Sequence, residues 1–113
     1  MEEQRLEIEV RHEPNRVVVC LRGELDLAHA PLLHAAIERV ELDAARAIVL
    51  DLEELRFMDS TGLRAILWAR ERAQQRGQEF AVTPGSQQVR RLLAITRVGD
   101  HLRIAASPDE LVA

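Results

Sequence analysis

Two adjacent patterns in mid-chain constrain the fold more than any other feature. Ala47-Ile48-Val49-Leu50-Asp51-Leu52 is a nearly continuous apolar run of strand length, the pattern of a strand buried on both faces in a parallel sheet. Shortly after it, Leu63 to Arg70 places apolar residues at helical spacing. Leu63, Ile66 and Leu67 form the expected core face, continued by Ala73. This predicts a helix over about 61–76, stopped by Gly77 as the residue after its cap. A strand thus runs through a short junction, Phe57-Met58-Asp59-Ser60-Thr61-Gly62, into a helix. Either Asp59 or Ser60 can cap that helix by accepting from backbone N–H groups two or three residues on. The junction sets a hydroxyl beside a carboxylate at the positive end of a helix dipole, where a phosphate is tolerated. Gly62, lacking a Cβ, is expected to let another chain approach the backbone.

The flanking segments repeat the alternation. Leu6-Glu7-Ile8-Glu9-Val10 alternates strictly, as in a half-exposed strand. Glu13-Pro14-Asn15-Arg16 is a turn, and Val17 to Leu21 is a buried strand ended by Gly23. Together they make an antiparallel hairpin. A first helix is expected over about 30–44, with Pro31 in its first turn and Leu33, Ala36, Ile37 and Val40 on one face. After the central helix, Glu79 to Val82 is a strand broken by Thr83-Pro84-Gly85. A third helix follows over about 86–95, with Ser86 as N-cap and Val89, Leu92, Leu93 and Ile95 as its apolar positions. A short strand over 101–105 and a helical turn starting at Ser107-Pro108 close the pattern. The alternation implies an α/β domain with right-handed crossovers after the hairpin.

Composition excludes several functions. The 113 residues suit one domain, 1–113, and 47% hydrophobic with 30% charged residues suits a globular chain. The net charge of −4 argues against a nucleic-acid binder. There is no lysine, so Schiff-base chemistry and the phosphate-binding lysine of ATP loops are ruled out. The single cysteine, Cys20, lies in a strand-like run and is expected to be a core residue in a reducing cytoplasm. The polar, acidic start predicts no signal peptide, and no apolar run approaches the roughly 20 residues that span a bilayer.

Three blocks in order carry a family resemblance that covers roughly residues 5–112: Leu21-Arg22-Gly23-Glu24-Leu25-Asp26, then Met58-Asp59-Ser60-Thr61-Gly62, and more weakly Val82-Thr83-Pro84 with Val89-Arg90-Arg91-Leu92-Leu93. The chain resembles the STAS family, in particular the bacterial single-domain anti-sigma factor antagonists. The resemblance implies the STAS fold: a small mixed β-sheet, an N-terminal hairpin plus parallel strands, with helices packed mainly on one side. It implies a non-enzymatic, cytoplasmic monomer without cofactor or metal, taking part in partner switching. The unphosphorylated form would bind an anti-sigma factor with serine kinase activity and so release a sigma factor. Phosphorylation of Ser60 would switch it off, Thr61 being the alternative acceptor, and a phosphoserine phosphatase would restore it. Glu24, Asp26, Asp59, Ser60, Thr61, Gly62, Arg64 and Trp68 are the expected partner-binding residues. Asp26 reads equally as a loop cap and Trp68 as packing against a neighbouring element, whereas Arg64 reads first as a solvated side chain. A phosphate there would add about −1.5 to −2 charge, which Asp59, Glu24, Asp26 and an acidic partner surface would oppose.

Other readings fare worse. Met58 stands two residues before Ser60, so the Gly-x-Ser-x-Gly elbow of hydrolases is absent. His29 and His34 are five apart and share no helix face for a metal, and His12 and His101 have no ligand spacing. Glu53 and Glu54 point opposite ways in an extended segment or lie in a solvated loop. A receiver domain phosphorylated on Asp51 would need a lysine. The remaining alternative is a STAS subunit regulating a membrane transporter ATPase without phosphorylation.

Overall fold

The computed structural model describes residues 6–40, 45–83 and 85–96. Strands β1 (Leu6–His12) and β2 (Arg16–Leu25) form an antiparallel hairpin. Glu13 and Arg16 exchange both backbone hydrogen bonds, at 2.9 and 3.4 Å, around the two-residue turn Pro14-Asn15. The Arg16 guanidinium also donates to Glu13 at 2.7 Å. Helix α1 (Ala30–Val40) leads to β3 (Ala47–Met58), then α2 (Ser60–Gln75), β4 (Glu79–Val82) and α3 (Gln87–Thr96). The sheet order is β1-β2-β3-β4, with β2, β3 and β4 parallel.

Strand alternation sorts the apolar residues onto two faces. Val17, Val19, Leu21, Ile48, Leu50, Phe80 and Val82 join Leu33 and Ile37 of α1, Leu63 and Ile66 of α2, and Val89 and Leu93 of α3 in the main core. Val18, Cys20, Ala47, Val49 and Ala81 form a smaller buried cluster on the reverse face. Burial on both faces explains the unbroken apolar run of β3. Each Leu or Ile so buried contributes about 1.5–3 kcal/mol relative to exposure.

Several boundaries differ from the sequence expectation. Gly23 does not end β2; it sits inside the strand at φ 106, beside register irregularities. Likewise β3 runs six residues past Leu52. Cys20 pairs with Asp51 but Arg22 with Glu54, and Gly23 pairs with Leu55 but Glu24 with Phe57. Each step puts one extra residue into β3, the signature of a bulge. Two bulges turn the two-residue alternation into a three-residue repeat, so Leu52, Leu55 and Met58 are all buried while Glu53 and Glu54 are both exposed. The first bulge is held by Thr83, whose hydroxyl accepts from the Leu52 N–H at 2.8 Å and donates to Asp51 at 2.9 Å.

The helices need smaller corrections. Helix α1 carries Leu33, Ile37 and Val40 inward but leaves Ala36 half-buried, and residues 41–44 lie outside the described residues. In α2, Leu67 is only half-buried and Ala69 takes the core position, one helical turn beyond Ile66. The α2 C-terminus closes through Gly77 (φ 75) donating to Gln74 at 3.0 Å and Gln78 donating to Ala73 at 2.9 Å. This is a Schellman cap and gives Gly77 its expected role. Ser86 precedes α3 and accepts from the Val89 N–H at 3.4 Å, as an N-cap does. Ile95 is 70% exposed and Leu92 half-buried, so the buried face of α3 reduces to Val89 and Leu93. Pro84, the expected strand at 101–105 and the helical turn at 107–110 lie outside the described residues.

Candidate functional site

The junction between β3 and α2 is fixed on three sides. The Gln88 side-chain amide grips the last residue of β3: the Met58 N–H donates to its oxygen at 3.0 Å, and its nitrogen donates to the Met58 carbonyl at 3.0 Å. The Ser86 hydroxyl donates to the Arg56 carbonyl at 3.2 Å. The Asp59 N–H donates to the Leu25 carbonyl at 3.3 Å, which ties the junction to the end of β2.

Of the two candidate caps, Asp59 is the one used. Its backbone is extended, its carboxylate accepts from the Gly62 N–H at 2.9 Å, and its carbonyl accepts from the Leu63 N–H at 3.0 Å. Ser60 is therefore the first helical residue. It is exposed, and its hydroxyl has no hydrogen-bond partner among the described residues. Thr61, next along, is half-buried. The carboxylate fills the capping role, and the hydroxyl remains available at the helix N-terminus.

Gly62 corrects the expectation that it opens the backbone to a partner. It is buried, and a Cβ built on it would lie 2.2 Å from the Leu25 carbonyl oxygen. The missing side chain lets α2 start against the end of β2 within the same chain. Leu25 thus meets the junction twice, through a hydrogen bond and through this close approach.

The neighbouring loop, from Leu25 to α1, presents the rest of the site. The Asp26 carboxylate accepts from the His29 N–H at 3.1 Å and lies 2.7 Å from His29 Nδ1. The Ala30 N–H donates to the Asp26 carbonyl at 2.8 Å. Asp26 therefore acts as a loop cap while remaining half-exposed. Glu24, half-buried, pairs in register with Phe57, and Leu25 with Met58. Two exposed apolar residues lie outside the contact set expected from the sequence. Leu27, between Asp26 and α1, is 71% exposed, and Phe57 is 38% exposed. The available signal was a large apolar residue in a loop or strand end with no core periodicity to serve.

The remaining expected contacts separate. Arg64 is exposed one turn along α2 and makes no hydrogen bond or ion pair among the described residues. Trp68 lies two turns along, about 12 Å by helical rise from Ser60. Its ring stacks on His34 of α1 at 4.3 Å between centroids, with the Arg72 guanidinium 5.7 Å from its centroid. Trp68 is half-buried and packs α2 on α1, which places it apart from the junction. Cys20 is buried, its Sγ 3.9 Å from Asp51, and burial pushes its thiol above the ordinary value. Among the described residues no group of three or more His, Cys, Asp or Glu could hold a metal, and no helix is long and apolar enough to cross a membrane.

Comparison with known proteins gives a consistent result. A model of the STAS domain matches residues 7–111. An anti-sigma F factor antagonist of Paenibacillus polymyxa is 37% identical over 89 residues, 78% of this chain and 76% of that protein. An anti-sigma-B factor antagonist of Listeria monocytogenes is 29% identical over 107 residues, 94% of each chain. The crystal structure of an anti-sigma factor antagonist from Mycobacterium paratuberculosis superposes with a TM-score of 0.83 at 26% identity, covering 93% of this chain and 89% of that one.

Proposed function

Because the chain belongs to the STAS domain family, we propose that it is a cytoplasmic, non-catalytic anti-sigma factor antagonist whose partner binding is switched by phosphorylation of Ser60. The observation that carries this reading is the exposed Ser60 hydroxyl at the first position of α2, with capping already satisfied by Asp59. Exposed Leu27 and Phe57 supply apolar contact area, and Glu24, Asp26 and Asp59 give the surface a negative rim. A partner with a partly apolar face fits it, and the anti-sigma factors named by the curated relatives are the proposed class.

Phosphorylation of Ser60 adds about −1.5 to −2 charge and three acceptor oxygens. The α2 dipole and the free N–H groups of its first turn accommodate that charge, so the fold persists. A partner seated over Asp59 and the acidic rim must desolvate the added charge, loses close contact to its bulk and meets it with its own acidic groups, which weakens the complex. The phosphate comes from a serine kinase, proposed to be the anti-sigma factor itself, and is removed by a phosphoserine phosphatase. Thr61, half-buried, is the poorer acceptor.

The test is a pull-down from native lysate with wild-type and Ser60→Asp bait, read by mass spectrometry, together with phosphopeptide mapping of the endogenous protein. The expected result is a kinase-like ATPase captured by wild type and lost with Ser60→Asp, and phosphate on Ser60. Capture of the same partner by both baits, with Ser60 never phosphorylated, would contradict the reading. Capture of a transporter ATPase by both would put the transporter-regulator reading in its place.

A further inference from the structure

β1, the outer strand of the described sheet, carries a self-complementary charge pattern. Among the described residues β1 pairs only with β2, and no strand of theirs pairs with its other side. Glu13 and Arg16 form a hydrogen-bonded pair at the hairpin turn, which fixes the phase of the ladder. Residues 7, 9 and 11 then point their backbone groups toward β2, and Leu6, Ile8, Val10 and His12 point theirs outward.

A second β1 running antiparallel, with a two-fold axis at Glu9, pairs all seven residues of the strand. Ile8 and Val10 then exchange outward backbone bonds with Val10 and Ile8 of the other copy. Glu7 falls opposite Arg11 in both halves, as a non-hydrogen-bonded pair, where opposing side chains come closest. Glu7 has no ion pair among the described residues, and Arg11 reaches Glu13 only at 4.0 Å. The two Glu9 carboxylates meet at the axis, but Arg22 binds each at 2.9 Å and also binds Glu54.

The apolar side agrees. A groove of about 670 Å³ lies between β1 and α1, walled by Ile8, Val10, Leu32 and Val40. Leu32 at its rim is 49% exposed. A two-fold axis normal to the sheet keeps both α1 helices on one face, so the two grooves meet as a single seam. We propose that this edge binds a second copy of the chain, joining the two sheets through β1 into one continuous sheet. This departs from the monomer that the family resemblance implies, and it is independent of the Ser60 switch.

The test is sedimentation velocity of the full chain over a concentration series. Wild type is expected to dimerise. Glu7→Arg, which sets arginine against Arg11, is expected to weaken dimerisation about tenfold or more, and Arg11→Glu likewise. The double variant Glu7→Arg/Arg11→Glu restores opposite charges and is expected to recover the dimer, which separates the pairing from any loss of fold. A monomeric wild type, single variants that dimerise undiminished, or a double variant that stays monomeric while folded would each overturn the proposal.

Discussion

The loops leaving β2 and β3 start from the same place and are built differently. Leu25 and Met58 are paired in register, each is fully buried, and each is followed by an aspartate. After Met58 the helix begins at once: Asp59 caps it, Gly62 lies against the Leu25 carbonyl, and Gln88 holds Met58. After Leu25 four residues intervene before α1, Asp26 is tied locally to His29, and Leu27 extends into solvent. The tight junction fixes where a hydroxyl stands. The looser one displays apolar surface beside it. A switch needs both properties, since a modified group must sit in a constant place and the partner must have area to grip.

The comparison breaks first at Gly62. Gly62→Ala forces a methyl into the Leu25 carbonyl, and the expected destabilisation is about 3 kcal/mol or more in urea unfolding. A cost below about 1 kcal/mol would show that α2 can slide, and that the junction is not tight. Gln88→Leu strips the partners from the Met58 N–H and carbonyl, and about 1–3 kcal/mol of destabilisation is expected from the same unfolding curves. The two aspartates come next. Asp59→Ala removes a helix cap and is expected to cost about 1 kcal/mol, and Asp26→Ala about half of that or less. Equal costs would erase the distinction between the two loops. Leu27→Ala is expected to shift stability by no more than about 0.5 kcal/mol. Measured by calorimetry against the captured partner, the same change is expected to weaken binding about tenfold.

Local pattern was readable in the sequence where one element decides the outcome. The hairpin turn at Pro14-Asn15, the double-faced apolar run of β3, the Gly77 stop and the Ser86 cap all depend on neighbours a few residues away. What depends on distant chain was hidden. The first of the bulges in β3 involves Thr83, 31 residues beyond Leu52. The need for glycine at 62 comes from a carbonyl on β2. Gln88 looks like a solvated helix residue until its amide is seen on Met58. Within the site, Ser60 and Asp59 were legible because capping is local. Trp68 was ambiguous because its choice between packing and contact rests on His34, in another helix.

The most direct test of the central claim is the affinity of the captured anti-sigma factor for wild type, Ser60→Ala and Ser60→Asp, with thermal unfolding of each alongside. The expected result is that Ser60→Ala binds like wild type, and that Ser60→Asp binds at least about tenfold more weakly with an unchanged melting temperature. Equal affinity for all three would show that charge at the start of α2 does not govern binding, and the switch would have to lie elsewhere.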